Sequence, residues 1–361
     1  MDKALRERLQ PLRERIDELD KQLLALMNER AGIAQKVGDI KKEFDVKGPV
    51  LKPEREAMIF RQLQALNPGP FTDAAIEAVW TEIISTCRGL EDVISVAYLG
   101  PRGSFSEQAA FEHYGHFIHA KPCDSFEEVF RVVEAGQADI GVLPVENSTE
   151  GAVNRTLDLL LNTSLKVLGE RSLKIHHELM TQSGTMQGIR RILAHPQALA
   201  QCRDWLLHHY PDVPHDVASS NAQAAEIASQ DASVAAIASH VAAEVWGLKA
   251  AHSGIQDDPH NRTRFLMVGD MPILPSGEDK TSLILAVPNR AGAVYEMLAP
   301  LTRYDVSMTR LESRPARTGQ WEYYFYVDIL GHASDSNVAQ ALAELKDQVA
   351  FFKLLGSYPR Q

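Results

Sequence analysis

Apolar residues recur through the first forty positions of this chain at helical spacing. Leu12, Ile16, Leu19, Leu23, Leu26, Ile33, Val37 and Ile40 stand three or four apart, or at multiples of those steps. The stripe predicts one unbroken helix that starts near Pro11, a residue suited to a first helical turn, and runs to about Glu43. At 1.5 Å per residue such a helix is about 50 Å long. Gly48 and Pro49 then break the chain, and two shorter helices are expected near 53–66 and 71–91. A unit spanning residues 1–92 cannot wrap so long a helix into a compact monomer. Two copies sharing one core would bury the stripe, so this part is expected to be an all-α dimer, with larger homo-oligomers left open.

From Val93 the pattern changes. Short β-branched runs such as VISVAYLG, IHAKPC and IGVLPVENS alternate with helical runs such as SFSEQAAFEHYG and SFEEVFRVVEAG. This alternation predicts parallel sheets covered by helices, and residues 93–270 suffice for two such lobes with a cleft between them. MPILPSGEDK, residues 271–280, reads as a linker. Residues 281–361 follow as β-α-β-β-α-β, the order of a ferredoxin-like module.

Of 361 residues, 45% are hydrophobic and 24% charged, and 37 basic against 48 acidic residues leave a net charge of −11. With no basic block, neither nucleic acid nor an anionic membrane is an expected partner. Cys87, Cys123 and Cys202 are too few and scattered for a disulfide framework or a zinc site. The start, MDKALRERLQ, has no apolar signal core, and a cytoplasmic location is expected. GPRGSFS lacks the spacing of a dinucleotide fingerprint, and no phosphate-binding GxxxxGK[ST] is present, so no nucleotide cofactor is expected. His113, His116 and His119 are three apart, but Gly115 turns the chain between them, so no metal site is expected.

Arg30 and Lys41 fall on the same helix face as Leu26, Ala34 and Val37. One long basic side chain at the edge of an apolar stripe ordinarily snorkels to water. Two of them, with Arg13 upstream and Arg55-Glu56 after the break, suggest an anion bound at the core face. Ile84, Cys87 and Glu91 share a face of the third helix, so an acid ends an apolar stripe.

Three sets of motifs carry a resemblance. LRERIDELDKQLLALMNER, VGDIKK and PEREAM resemble the all-helical chorismate mutases. YLGPRGSFSEQAA, PVENSTEG, HPQALAQC and IQDDPHNRTRF resemble prephenate dehydratase. NRAGAVYEML and LESRPARTGQWEYYFYVDI resemble the phenylalanine-binding ACT module. Together, in this order and over nearly the whole chain, they are similar to the bifunctional chorismate mutase–prephenate dehydratases. The resemblance implies a cofactor-free enzyme that rearranges chorismate to prephenate, converts prephenate to phenylpyruvate, and is inhibited by phenylalanine. A sensor with decayed active sites is the rival reading, opposed by the intact ENSTEG and TRF. A mutase fused to prephenate dehydrogenase would need the dinucleotide fingerprint that is missing.

The resemblance also implies roles for residues. Arg13 (from the other subunit), Arg30 and Arg55 would hold the chorismate carboxylates, Lys41 and Glu91 would face the ether oxygen, and Glu56 a hydroxyl, with Lys52 and Cys87 lining the site. Lys52, Cys87 and Glu91 stand where a well-known branch has an acid, a serine and a glutamine. In the dehydratase, Thr263 is the candidate hydroxyl donor, as donor or relay. Asn147, Ser148 and Thr149 would meet a carboxylate ahead of a helix expected at Gly151, and Gln201 lies in the second lobe. Ala194 replaces a serine common in the family. Gly292, Ala293, Val294, Glu312, Ser313, Arg314 and Pro315 match the phenylalanine-site loops.

Overall fold

The computed structural model describes residues 3–44, 49–288, 290–315 and 323–360. Its N-terminal unit has three helices, α1 (Lys3–Glu43), α2 (Pro53–Leu66) and α3 (Asp73–Gly89). Helix α1 begins eight residues earlier than Pro11 predicts and carries that proline inside it. Gly38 is its one buried residue, so the apolar stripe has no cover within the chain. Helix α3 stops two residues short of Glu91.

The first lobe continues with β1 (Ser95–Leu99), α4 (Phe105–Tyr114), β2 (His119–Cys123), α5 (Phe126–Glu134), β3 (Ile140–Asn147), β4 (Gly151–Ala152), α6 (Asn154–Asn162) and β5 (Lys166–Lys174). The second lobe holds β6 (Glu178–Thr181), β7 (Arg191–Ala194), α7 (Pro196–Gln201), α8 (Arg203–His209), β8 (His215–Val217), α9 (Asn221–Gln230), β9 (Val234–Ala238), α10 (His240–Trp246) and β10 (Lys249–Ser253). Strand β11 (Arg262–Gly269) returns to the first lobe. The last unit is β12 (Asp279–Ala286), α11 (Ala293–Arg303), β13 (Met308–Pro315), β14 (Tyr323–Leu330), α12 (Ser336–Gln348) and β15 (Phe351–Pro359).

Local chemistry explains many of the boundaries. Thr72, Ser104, Ser125, Ser220 and Ser239 each cap a helix by accepting a backbone N–H three residues on. Each cap is worth about 1 kcal/mol over alanine. The buried Glu107, inside α4, accepts from the Tyr98 hydroxyl at 2.6 Å and from the Gly103 amide, which ties the 100–104 loop to its sheet.

Both lobe sheets are mixed, not parallel. In the first, ordered β2-β1-β3-β11-β5, strands β1, β2 and β3 are parallel, but β11 runs antiparallel to β3 and β5. In the second, ordered β10-β6-β9-β7-β8, strands β7, β8 and β9 are parallel and β6 alone is reversed, running antiparallel to both of its neighbours, β10 and β9. The reversals follow from the chain path: it leaves the first lobe after β5 and comes back along β11. The two crossings lie side by side, Ile175 N–H bonding Asn261 O at 2.9 Å and Ile255 N–H bonding His177 O at 3.1 Å. The lobes also touch at Gly103, whose φ of +85° and position against Ala242 leave no room for a side chain.

The C-terminal sheet has order β13-β14-β12-β15 with α11 and α12, as expected of a ferredoxin-like module. Its other face is not free: Ile284, Tyr326, Leu355 and Tyr358 share one core with Leu143, Val145 and Leu157 of the first lobe.

Candidate active sites in two domains

At the helical end, α1, α2 and α3 converge on two carboxylates. Lys41 Nζ donates to Glu91 Oε1 at 3.0 Å, with Glu91 largely buried. Gly38 lies beneath it, and a Cβ there would meet Glu91 Cγ at 2.9 Å, so the close approach requires glycine. Arg88 Nη1 donates to Glu56 Oε1 at 2.6 Å and its Nη2 to Tyr114 O at 2.8 Å. Burial pushes the Glu56 carboxyl above its usual range, against the opposing pull of Arg88 and, more weakly, Arg30.

The structure thus gathers Arg30, Lys41, Glu56 and Glu91 about the half-buried start of α2 and end of α3, with Cys87 buried behind them. Lys52 and Arg55 stand exposed at the start of α2. Arg13 does not join: it is exposed and 17 residues up α1 from Arg30, about 25 Å along the axis. Gly38 and Arg88 escaped the sequence reading. For Arg88 a signal existed, because Thr81, Ile84, Ser85 and Arg88 recur at helical spacing and are all buried.

In the interlobe cleft, Asn147 closes β3 directly opposite Thr263 of β11. Asn147 Nδ2 donates to Thr263 Oγ1 at 2.9 Å and to Asn261 Oδ1 at 3.0 Å. The Thr263 oxygen thereby acts as acceptor, and its own proton is left to point elsewhere. Ser148 and Thr149 hydroxyls also reach Asn261 Oδ1, at 3.4 and 3.3 Å. The helix expected at Gly151 is absent. Gly151 and Ala152 form β4 against β3, and α6 begins at Asn154. The ENST turn is held instead by Asn147 Oδ1, which accepts the amides of Thr149 and Glu150 at 3.0 and 3.2 Å. Ala194 ends β7 in the core, and the next residue, His195, caps α7 by accepting from Gln197 N–H at 3.3 Å.

The second lobe contributes Gln201, whose Oε1 lies 2.9 Å from His177 Nε2. Thr263, Asn147, Gln201 and His177 line one cavity of about 80 Å³, and a second of about 210 Å³ adjoins it across Gln201. Three buried polar atoms here have no partner among the described residues: Asn261 Nδ2, Gln201 Nε2 and His177 Nδ1. Neither Asn261 nor His177 was singled out from the sequence. A larger hollow of about 770 Å³ between α3, α4 and α10 gathers none of these groups.

The other histidines do not converge. His113 is buried, and burial followed by Arg171 and Arg88 pushes its imidazole down to about 3. His116 pairs with Glu82 at 2.7 Å, and His119 is exposed at the start of β2. Among the described residues no group of three His, Cys, Asp or Glu could hold a metal, and no helix is long and apolar enough to cross a membrane.

In the last unit, Gly292 caps α11 with a φ of +81°, followed by buried Ala293 and exposed Val294. Glu312, Ser313 and Pro315 lie on edge strand β13, mostly open to solvent. Arg314 does not face that edge. It is buried against α6, donating to Asp158 at 2.9 Å and to Asn154. That arginine ties β13 to α6 of the first lobe. Three further ionic contacts cross the same boundary: Arg310 to Glu146 at 2.7 Å, Arg264 to Asp328 at 2.7 Å, and Lys280 to Glu170.

Two catalytic folds and a regulatory one are therefore joined in a single chain, and family models match each. The chorismate mutase type II model matches residues 12–92, prephenate dehydratase residues 96–272, and the ACT domain residues 281–347. The bifunctional chorismate mutase/prephenate dehydratase of Neisseria gonorrhoeae is 45% identical over 99% of both chains. The structure of prephenate dehydratase from Arthrobacter aurescens in complex with L-Phe is 34% identical, with a TM-score of 0.68, covering 74% of this chain and 90% of that one. GqqA, described as a novel type of quorum-quenching acylase, is 31% identical with a TM-score of 0.67, covering 74% of this chain and 98% of that one. The chain belongs to the bifunctional chorismate mutase/prephenate dehydratase family.

Proposed function

We propose that the helical unit isomerises chorismate to prephenate, that the two-lobed unit converts prephenate to phenylpyruvate, and that phenylalanine bound to the ACT domain restrains the second step. The observation that carries the dehydratase reading is the Thr263–Asn147–Asn261 cluster at the cleft, with buried amide nitrogens left to donate. A substrate with two carboxylates supplies acceptors for them. Loss of the ring hydroxyl and of carbon dioxide leaves an aromatic ring, so the chain need only orient the substrate and assist the departing oxygen. Incubating the full chain with chorismate and following prephenate and phenylpyruvate tests both activities together.

The mutase reaction is an intramolecular rearrangement, so the helical site acts by holding the compact conformer and by meeting charge on the breaking ether. Arg30 and Arg55 suit the carboxylates because a guanidinium binds them in two-pronged fashion. Arg13 is too distant to serve its own chain's site and would come from a second copy. A homodimer built on α1 supplies it, and also covers Leu12, Ile16, Leu23, Leu26 and Ile33, each more than half exposed in one chain.

Glu91 provides a test. As a carboxylate it accepts from Lys41 and cannot donate to an ether oxygen; only the protonated acid can. Glu91→Gln, whose amide can donate to that oxygen, is therefore expected to keep or raise the mutase rate, and Glu91→Ala to lower it. Equal mutase rates in wild type, Glu91→Gln and Glu91→Ala would remove Glu91 from the mechanism.

For regulation, the exposed edge around Glu312, together with Gly292, is the proposed phenylalanine site, and inhibition needs two states of unequal affinity. Glu312→Ala is expected to weaken phenylalanine binding about tenfold or more, the loss of one hydrogen bond to a charged group, with uninhibited activity unchanged. Unchanged affinity by titration calorimetry would place the site elsewhere.

A further inference from the structure

The residue with the most unexplained chemistry in the cleft is His177. It is 2% exposed, sits at the crossing between the lobes, and packs edge-on against Phe105 with ring centroids 5.5 Å apart. Its Nε2 is taken by Gln201, while Nδ1 is buried, without a partner among the described residues, in the cavity that Thr263 also lines. A buried imidazole nitrogen kept unpaired is costly unless a ligand meets it.

The reaction supplies a reason. Prephenate enters as a dianion, while phenylpyruvate leaves as a monoanion with water and carbon dioxide, so each turnover consumes one proton. The other groups lining the cavity are amides, hydroxyls or apolar, and none is an acid that can release a proton at neutral pH. Thr263 is too weak an acid to be its source. We propose that His177 takes up a proton as the prephenate dianion binds and delivers it from Nδ1 to the departing ring hydroxyl.

The step balances without any other reactant. The ring C–O bond breaks and its electron pair stays with oxygen, which takes the Nδ1 proton and leaves as water. The bond to the ring carboxylate breaks, its pair completes the aromatic ring, and carbon dioxide departs. His177 returns to the neutral form and is recharged from solvent with the next substrate. Thr263 donates to the same oxygen as charge grows on it, and Gln201 fixes the imidazole through Nε2.

Charges around the ring fit a group that is neutral at rest. Burial, with a smaller contribution from neighbouring His176, pushes His177 below the ordinary imidazole range, although its bond to Gln201 works the other way. Glu178 Oε1 lies 3.3 Å from Ser253 Oγ and 3.7 Å from His240 Nδ1, while its Oε2 is buried without a partner among the described residues. The carboxylates of Asp257 and Asp258 are occupied by backbone amides. Helix α4 presents Phe105, α7 presents Gln201 and β11 presents Thr263, none of them charged. The entering dianion would be the dominant charge near the ring and would raise its proton affinity.

This inference rests on the dehydratase reading of the cleft, and one experiment separates the two. The pH dependence of kcat and kcat/KM for prephenate is measured from about pH 6.5 to about pH 9 on the full chain and on His177→Gln. Glutamine keeps a donor for Gln201 Oε1 but carries no titrating proton, and the mutase rate of the same preparation reports folding. Wild-type kcat/KM is expected to fall about tenfold per pH unit while kcat stays level over most of the range, because free enzyme must gain a proton that the complex holds tightly. His177→Gln should lower kcat at neutral pH by about 10²-fold or more and flatten the kcat/KM profile. A level wild-type kcat/KM, the same slope in the variant, or a kcat within about twofold of wild type would overturn the assignment. If wild type forms no phenylpyruvate from prephenate at any pH, the dehydratase reading itself falls.

Discussion

Thr263→Ala is expected to lower dehydratase turnover by about 10²–10³-fold, roughly 3–4 kcal/mol, while mutase activity stays near wild type. The Thr263 oxygen already accepts from Asn147, which leaves its hydroxyl proton for the substrate. Asn147 keeps its second bond, to Asn261, so the turn survives the substitution. Prephenate should accumulate when the variant is fed chorismate. Thr263→Ser, which retains the hydroxyl, should recover most of the rate. Loss of both activities together would mean that the chain had misfolded, and an unchanged dehydratase rate would remove Thr263 from the reaction.

The second large effect concerns the long helix. Leu23→Glu, in the middle of the α1 stripe, is expected to abolish mutase activity at micromolar protein and to shift the chain toward smaller species on gel filtration. Burying one leucine is worth about 1.5–3 kcal/mol, and a two-fold axis counts it twice. Together with the cost of burying two carboxylates, this would weaken association by at least about 10²–10³-fold. An active, unchanged oligomer carrying Leu23→Glu would show that the stripe is covered in some other way. The dehydratase, whose cleft lies within one chain, should lose little.

The three-part architecture was legible because each part has its own period: unbroken helical spacing first, then alternating β and α runs, then β-α-β-β-α-β. The lobe sheets were misjudged as parallel because hydrophobic runs report burial, not direction; β11, returning to the first lobe, and β6, entering the second, are the reversed strands. Gly151 was read as a helix start because a cap-like ENST turn also precedes short strands, and here Asn147 closes the turn on itself. Arg314 was placed beside phenylalanine by motif alone, and the side of the strand it faces depends on a neighbouring domain that no local pattern reveals. Gly38, His177 and Asn261 were missed for a related reason: their importance lies in what a distant segment brings against them.

Strands β3 and β11 meet at two consecutive rungs whose side chains part company. At one rung, Asn147 and Thr263 look into the cleft; at the next, Glu146 and Arg264 reach Arg310 and Asp328 of the ACT sheet. A pleat a single residue wide therefore separates the face that meets the interlobe cleft from the face that meets the ACT sheet. For anyone seeking a strain that overproduces phenylalanine, this divides the available changes cleanly. Substitutions on the ACT-facing rung can alter obedience to the effector without touching a cleft residue, whereas those one position along alter the catalyst itself.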